Sequence, residues 1–525
     1  MTGADYACIG EGEVTICELM DSIVAGSGVE GCAGIVYKNG DGEYIKNADR
    51  PPIADLDSIP FPDYDGLELE KYLEAQTPYD EYYTYADDYP RMLPIYLGRS
   101  CPFQCTFCYH PLGNKYRQRS MDNFFLELDQ ALQKYQVNEL GIFDELFSLN
   151  KENVERFCER ISGYNMRWHI QLRVNIADKP LLMMMKKAGC TSISYGIESY
   201  NRDVLASMKK KISQEEIARA LQDTYECGIT IQGNFIFGDE EETVESFKET
   251  LSWWREHRKY MLNLAFIETY PGTALYKNAV KNGLIRDREK FIADGCPIIN
   301  MTKLTDAQFS TMRTIVALEE FKDCGYNGEV LGISANETED KMVDMTLRCA
   351  HCGRVSTYKR IEKKRVYSNH FKIGCKNCGQ KSVFDTRAYF GIRDSEFKYR
   401  MYYYILKQYL QNIREGLNPG DGLDMGAIAL FYEEELGDDF VDILRGYGKL
   451  AYIIAPGGSR VQEPAAGNIK VVEMESMERQ ELETPTDAII VLDIMNYKRI
   501  EEELRQKGYN GRIAAVDDVL FGMVV

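Results

Sequence analysis

The chain has 525 residues, of which 44% are apolar, and its formal net charge is −20 at pH 7. This length is too great for one hydrophobic core and predicts about three or four structural units, while the acidic surface argues against nucleic acid or anionic lipid as a partner. Because it shows no signal peptide and no apolar run of about eighteen residues, the chain is predicted to be cytoplasmic without a membrane span. The fifteen cysteines are then expected to bind metal or stay free rather than form disulfides.

The first elements predicted along the chain are short. A helix ending at Ala25 follows residues 3–13, and the range 34–46 predicts a hairpin because it contains Asn-Gly and Asp-Gly turn signals. These elements divide the start of the chain into a segment 1–30 and a hairpin-and-linker segment 31–90.

Short apolar runs then alternate with amphipathic stretches, which is the pattern of βα units that build a parallel sheet. The predicted strands are 93–97, 139–143, 168–173, 192–196, 230–236 and 262–268. The predicted helices between them are 121–135, 151–162, 179–188, 213–227 and 243–255. Ser213 and Glu216 form a capping box at the start of the fourth helix, and Gly228 follows as its stop. About six repeats predict an open barrel over 91–325, with reactive groups on loops at the carboxyl ends of the strands.

A cysteine loop directly follows the first predicted strand. Cys101, Cys105 and Cys108 have the spacing Cys-x3-Cys-x2-Cys. Three thiolates from one loop can bind three irons of a cubane cluster and leave the fourth iron open to chemistry. The alternative is three small apolar side chains that happen to be close, which the preceding strand argues against.

This loop and several later segments resemble the radical S-adenosylmethionine (SAM) enzyme superfamily. The resemblance implies an α/β fold with a partial (β/α)6 barrel and a [4Fe-4S] cluster on the three cysteines. It also implies reductive cleavage of SAM at the fourth iron, giving methionine and a 5′-deoxyadenosyl radical that acts on an unknown substrate. A flavodoxin- or ferredoxin-type reductant would supply the electron.

The same resemblance implies SAM contacts where later strands end. Asp144 and Glu145 stand where many members have a Gly-Gly-Glu that holds the SAM amino group, and without the glycines both stay candidates. Arg173 resembles the arginine that reaches the SAM carboxylate; a surface arginine paired with an acid is the alternative. Glu198, in Gly-Ile-Glu-Ser, matches a carboxylate beside the ribose or methionine end, or alternatively it caps the next helix.

Two further candidates concern the adenine. Gly233 lies in the segment 228–238, which resembles a backbone stretch that a base approaches closely because no Cβ intervenes. Tyr109 follows the third cysteine and could pack on the adenine or simply belong to the core. The motifs at 242–243 and 270–273 complete the likeness, since they recur in the subgroup that often carries a cobalamin-binding domain.

The start of the chain resembles part of that domain. Residues 3–25 are similar to its last strand and helix, and residues 51–65 to the linker that joins it to the barrel. The full domain is much longer and usually supplies an axial histidine from an Asp-x-His-x-x-Gly loop. The five histidines lie elsewhere, at His110, His169, His257, His351 and His370. Cobalamin is therefore doubtful, and a truncated relative of cobalamin-dependent radical SAM methyltransferases is an alternative prediction.

A second group of cysteines predicts a zinc ribbon over 340–385. Cys349 and Cys352 form one Cys-x2-Cys-Gly knuckle, and Cys375 and Cys378 form another. Facing knuckles arrange four thiolates tetrahedrally, which suits a structural Zn²⁺ and leaves His351 without a ligand role. A rubredoxin-like iron or an auxiliary Fe–S cluster is the alternative by ligand type.

The rest of the chain predicts a scaffold. Strands at 427–432, 451–454, 469–472 and 488–492 indicate a small Rossmann-like α/β domain over 386–525, expected to act as a scaffold or partner surface. The basic run 359–367 is favoured as a solvated hairpin face over an RNA-binding site. Against the radical SAM enzyme stands one hypothesis of another class, a non-catalytic Fe–S and zinc binding or assembly protein with RNA as its partner.

Overall fold

The computed structural model describes residues 4–78, 87–319, 325–363 and 370–386, and shorter stretches beyond them. These stretches are 389, 428–431, 441, 450–455, 470–475, 486, 488–492 and 497–515. The chain divides into two compact units, and each is described by itself. The first comprises 1–240, 252–301 and 328–386, and the second comprises 241–251, 302–327 and 387–525. No described helix is both long enough and apolar enough to cross a bilayer.

The first unit begins with a small antiparallel sheet in the order β1-β2-β3. Its elements are β1 (Tyr6–Cys8), helix α1 (Glu13–Val24), β2 (Ile35–Lys38) and β3 (Tyr44–Lys46). The predicted hairpin is confirmed as β2 and β3, and the side chain of Asn39 shapes its turn by accepting hydrogen bonds from the backbone N–H groups of Asp41 and Glu43. A 3₁₀ turn (Leu56–Ser58) and helix α2 (Leu69–Ala75) follow in the linker.

Six parallel strands form the main sheet, in the order β11-β10-β9-β8-β7-β4. In chain order the strands of this region are β4 (Met92–Ile95), β5 (Gly98–Arg99), β6 (Arg117–Gln118), β7 (Glu139–Ile142), β8 (Arg167–Leu172), β9 (Cys190–Glu198), β10 (Thr230–Phe237) and β11 (Asn263–Phe266). All six predicted strands are confirmed in this sheet, while β5 and β6 pair separately around the cysteine loop. A six-stranded parallel sheet in this order fits the partial barrel that the βα pattern predicted.

Helices connect the strands, and their ends follow from local sequence. They are α3 (Met121–Lys134), α4 (Lys151–Ile161), α5 (Lys179–Lys187), α6 (Arg202–Ser207), α7 (Gln214–Glu226), α8 (Val244–Glu256), α9 (Ala274–Lys281) and α10 (Arg288–Ala293). Most of α8 and all of the next helix, α11 (Asp306–Glu319), are assigned to the second unit. The capping box of Ser213 and Glu216 is present, and Gly228 ends that turn with a φ of +68°. Buried aromatic side chains such as Phe157 and Trp168 pack between the helices and the sheet.

Five antiparallel strands after the barrel form what we call the four-cysteine sheet, because its turns carry the second group of cysteines. They are β12 (Asn327–Ala335), β13 (Met342–Arg348), β14 (Val355–Glu362), β15 (His370–Gly374) and β16 (Lys381–Asp385), in the order β14-β13-β12-β16-β15. Of the basic run, Arg360 makes an ion pair with Glu339, and residues 364–367 lie outside the described part.

The four-cysteine sheet packs on the turn between α7 and β10. The side chain of Thr230 donates a hydrogen bond to the carbonyl of Gly379, and that of Gln380 donates to the carbonyl of Tyr225 at 2.7 Å. Contact is closest at Gly379, where a Cβ would lie 2.1 Å from the Gly228 carbonyl oxygen. Glycine is thus required at this position both by the close approach and by its φ of +75°.

Gly379→Ala is therefore expected to destabilise the protein more than Gly353→Ala. Both glycines have a left-handed φ, which costs alanine about 1–2 kcal/mol, but Gly353 has open space where a Cβ would stand. The difference in unfolding free energy between the two variants, measured with urea, isolates the packing on Gly228. Equal losses would show that this contact adds nothing to stability.

The second unit contains a five-stranded parallel sheet in the order β19-β18-β17-β20-β21. Its strands are β17 (Ile428–Phe431), β18 (Leu450–Ala455), β19 (Lys470–Glu473), β20 (Ala488–Val491) and β21 (Arg512–Ala515), with a helix over Tyr497–Gln506. All four predicted strands are present. Their buried side chains, among them Ile454 and Ile489, form a core of their own with that helix.

Candidate functional site

The cysteine loop connects β5 to β6 at the carboxyl end of β4, and its backbone is anchored in the middle. The N–H of Thr106 donates to the carbonyl of Met208 at 3.2 Å, and the carbonyl of Thr106 accepts from the N–H of Leu275 at 3.1 Å. Ser100, just before the first cysteine, has a φ of +67° and donates its hydroxyl to the carbonyl of Leu112. The loop is thus held in place while its three cysteines stay partly exposed.

The electrostatics of these three thiols suit metal binding. Burial raises the pKa of Cys101 and Cys105, and it raises that of Cys108 to about 12; neighbouring thiols raise the pKa further at Cys101 and Cys108. Lys210 acts in the opposite direction on Cys105 and Cys108. Thiols in this setting are neutral by themselves, whereas bound iron stabilises the thiolate form. The donor set therefore fits three irons of a [4Fe-4S] cluster.

Sulfur spacing separates the two cysteine groups. In the four-cysteine sheet, the four Sγ atoms lie within 4.8 Å of one another, whereas in the part of the chain described here the loop cysteines form no such tight group. Tetrahedral coordination at Zn–S distances of about 2.3 Å needs sulfurs about 3.8 Å apart. The four-cysteine group therefore has the spacing of a single tetrahedral ion.

Asp144 and Glu145 follow β7 and point to different surroundings. The carboxylate of Asp144 is buried and accepts hydrogen bonds from the backbone N–H groups of Leu97 (2.9 Å) and Gly98 (2.8 Å). Glu145 instead lines a cavity of about 650 Å³, and its charge contributes to the raised pKa of Cys101 and Cys108. Asp144 thus holds the strand that leads into the cysteine loop, and Glu145 is the carboxylate that faces the open space.

We expect a pH signature from Asp144. Burial raises the pKa of this carboxyl to about 8, with partial compensation from the two N–H donors, against 3.8 for the unburied group. Between these values the folded protein retains a proton that the unfolded chain releases, so stability falls as the pH rises from about 4 to about 8. Urea unfolding at several pH values should show a flatter slope for Asp144→Asn, and an unchanged slope would contradict this account.

Arg173 and Glu198 lie on the side of the loop nearest β8 and β9. The Arg173 guanidinium stacks 3.7 Å above the ring of Phe103, inside the cysteine loop, and burial lowers its pKa. Glu198 has a φ of +66° and makes a buried ion pair with Lys210 at 2.6 Å. It does not cap the next helix, because the side chain of Asn201 does so.

The two adenine candidates, Tyr109 and Gly233, have different surroundings. Tyr109 is exposed, and its ring covers the Cα of Gly272, where a Cβ would come within 2.6 Å of the ring. Gly233 lies inside β10, and a Cβ there would meet the side chains of Ile197 and Leu262. Packing against these side chains therefore explains why residue 233 is a glycine. The sequence alone did not distinguish this reason from a close approach of the adenine base.

Sequence reasoning missed three groups around the loop. Lys210 was hidden in a run of three lysines, and only its pairing with Glu198 sets it apart. Both ring nitrogens of His110, which lies two residues after Cys108, are buried with no hydrogen-bond partner among the described residues, and Nδ1 lies 3.7 Å from Glu145. Glu11, before α1, makes ion pairs with Arg99 and Arg117 that connect the start of the chain to the cysteine loop.

The four-cysteine sheet brings its cysteines together at the turns of two hairpins. The Sγ atoms of Cys349 and Cys378 are 3.7 Å apart, as are those of Cys352 and Cys375. His351 is not a ligand, since its Nδ1 meets the hydroxyl of Tyr225 at 2.8 Å and its Nε2 meets the carbonyl of Lys381 at 2.6 Å. The group is a closed four-sulfur site.

A family model matches the part of the chain that carries the cysteine loop. Residues 95–253 match the family model of the radical SAM superfamily. The chain contains a radical SAM domain. The matched range begins in β4, includes all three loop cysteines and ends in α8, so the radical SAM domain coincides with the cysteine-bearing part of the sheet.

Curated relatives of the radical SAM domain come from several organisms. An uncharacterized methyltransferase of Pyrococcus horikoshii is 29% identical over 59% of this chain and 65% of that protein. Bacteriochlorophyllide d C-8(2)-methyltransferase of Chlorobaculum tepidum is 28% identical over 39% of this chain and 49% of that protein. The anaerobic magnesium-protoporphyrin IX monomethyl ester cyclase of Rubrivivax gelatinosus is 29% identical over 40% of this chain and 39% of that protein. The chain thus matches between about 39% and 65% of the length of these relatives.

Matches among solved structures include one described with cobalamin and a [4Fe-4S] cluster bound and one described as cobalamin-dependent. The radical SAM methyltransferase TsrM from Kitasatospora setae has a TM-score of 0.43 at 16% identity, covering 53% of this chain and 54% of that one. The cobalamin-dependent radical enzyme OxsB has a TM-score of 0.45 at 18% identity, covering 60% of this chain and 52% of that one.

Proposed function

We propose that this protein is a radical SAM enzyme that cleaves SAM reductively at a [4Fe-4S] cluster bound by Cys101, Cys105 and Cys108. The observation that carries the proposal is the placement of three partly exposed thiols on an anchored loop at the carboxyl end of β4, inside the radical SAM domain. When bound, the cluster and SAM supply a one-electron cleavage that yields methionine and a 5′-deoxyadenosyl radical.

The surrounding side chains are assigned by charge. Glu145 faces the cavity and suits the SAM ammonium group, while Asp144 only shapes the backbone before the cysteines. Arg173 suits the SAM carboxylate because a guanidinium binds a carboxylate through two parallel hydrogen bonds. Lys210 fixes the orientation of Glu198 through their buried ion pair. Tyr109 and Gly233 remain adenine-side candidates.

The test is anaerobic reconstitution with iron and sulfide, followed by SAM, dithionite and an assay for 5′-deoxyadenosine. The enzyme forms the nucleoside above the level of a control lacking the cluster, even without substrate. No nucleoside above that control favours the alternative of a non-catalytic Fe–S and zinc binding or assembly protein.

The step after radical formation is not assigned, and methyl transfer is the second candidate. It is favoured by the curated relatives, several of which are named methyltransferases. The segment 3–25, which resembles part of a cobalamin-binding domain, contains no histidine, so these residues supply no axial imidazole to cobalamin as a methyl carrier. Transfer of a labelled methyl group from SAM to extracted small molecules, with and without added cobalamin, distinguishes these routes.

The remaining proposals concern the four-cysteine sheet, the second parallel sheet and the electron donor. The sulfur distances of the four-cysteine sheet support a structural Zn²⁺. We therefore assign this sheet as a zinc ribbon that stabilises the barrel. The second parallel sheet has its first strand in the centre of the order, as Rossmann-like halves do, and we assign it a scaffold role. A flavodoxin- or ferredoxin-type donor and a cytoplasmic location complete the proposal, because a low-potential cluster needs both a reductant and protection from oxygen.

A further inference from the structure

A basic cleft lies beside the cysteine loop. It has a volume of about 590 Å³, and we call it the ligand-loop cleft. Its lining residues are Pro102, Phe103, Gln104, Arg202, Leu205, Ala206, Lys209, Lys211 and Ile212. Three of these side chains are cationic and none of the lining residues is acidic, although the chain as a whole carries a net charge of −20.

The cations of the ligand-loop cleft are available to a partner. Arg202, Lys209 and Lys211 are exposed, and none of them makes an ion pair within the part of the chain that the structure describes. Arg202 is one of the groups, after a backbone N–H and Ser213, that lower the pKa of Glu215. Charge reversal is therefore directed at Lys209 and Lys211 rather than at Arg202.

The cleft is also next to the redox centre of the proposed function. Pro102, Phe103 and Gln104 are the three residues between the first two cysteines, so the wall of the cleft is the ligand loop itself. The 650 Å³ cavity is lined instead by Ser100 and Leu112 of this loop, together with Glu145. The cleft and the cavity share no lining residue.

We propose that the ligand-loop cleft is the docking surface for an acidic electron-transfer protein that reduces the cluster. The inference rests on the proposed function. A reduced flavin or iron–sulfur donor loses one electron and the cluster gains it, with no bond made or broken. Docking over residues 102–104 brings the donor to the cluster without blocking the cavity. Complementary charge would steer the encounter and raise the rate of association.

The test reverses two charges of the cleft. Lys209→Glu with Lys211→Glu is compared with a matched control, Lys187→Glu with Lys281→Glu, which changes the total charge equally at exposed lysines of α5 and α9. Binding of an acidic bacterial flavodoxin to the reconstituted full chain is measured by calorimetry. We expect binding to weaken about tenfold or more in the cleft variant, and the salt dependence of the parent to flatten, while the control matches the parent.

Electron delivery gives the second measurement. With reduced flavodoxin as donor, the cleft variant should form 5′-deoxyadenosine about tenfold more slowly, whereas with dithionite it should equal the parent. An equal loss of rate with both donors would mean that the lysines support the cluster or the fold. Unchanged binding and unchanged rates would mean that the donor docks elsewhere. Either result overturns the inference. Absence of flavodoxin binding to the parent, or preferential binding of RNA, also overturns it. If the parent forms no 5′-deoxyadenosine with dithionite, the proposed function is wrong. The calorimetric comparison of the cleft variant with the control still tests whether flavodoxin binds at the ligand-loop cleft.

Discussion

Alanine at any one of Cys101, Cys105 and Cys108 is expected to abolish 5′-deoxyadenosine formation and to remove most of the cluster iron. Each thiolate binds one iron, and two remaining ligands leave a second iron open to water, so that the cluster is no longer held. The measurement is nucleoside yield together with iron and sulfide content after anaerobic reconstitution. The expected loss is complete, because the cluster is held by these three thiolates and no cluster means no electron for SAM cleavage.

The control for this prediction is Cys17→Ala, which removes an exposed cysteine of α1 outside both cysteine groups. It should retain the iron content and nucleoside yield of the parent. Each loop variant removes a partly exposed side chain. Its thermal unfolding midpoint, measured without the cluster, should therefore match that of the parent measured without the cluster. A loop variant that kept its cluster and its activity would contradict the assignment of the three ligands.

Replacement of Cys349 by alanine is expected to have its main effect on stability. Zinc ribbons depend on the metal for folding, and binding free energies of structural Zn²⁺ are about 10–16 kcal/mol in small zinc domains. The four-cysteine sheet has a small core of its own, and it packs on the turn between α7 and β10, so loss of the metal should also loosen this part of the barrel. Thermal unfolding and zinc content of the purified protein measure the effect.

Cys227→Ala is the matched control, since this half-buried cysteine follows α7 beside the same turn but lies outside the four-sulfur group. The control should keep one zinc ion and the parental unfolding midpoint. The cluster of Cys349→Ala, where the protein remains soluble, should still bind iron, because the loop cysteines lie at the opposite ends of the strands. Loss of iron equal to that of the loop variants would contradict this division between the two metal groups.

Much of the fold was predictable because its signals are local. Apolar runs of strand length alternate with amphipathic stretches, and Ser213 with Glu216 marks a helix start within four residues. The structure therefore confirms all six strands of the barrel sheet, and β9 extends beyond its predicted limits at both ends. The two cysteine groups were also evident in the sequence. Cysteines on one short loop or one tight turn are necessarily near one another in space.

What the sequence by itself determined is thus the parallel sheet and the grouping of the cysteines that we propose as metal ligands. The tertiary structure alone decided which carboxylate faces the cavity, because Asp144 and Glu145 are adjacent and only the backbone N–H groups of Leu97 and Gly98 hold one of them. It also decided that Glu198 pairs with Lys210, twelve residues later. These choices depend on which side chains meet across the ends of neighbouring strands, and such meetings are set by packing rather than by spacing along the chain.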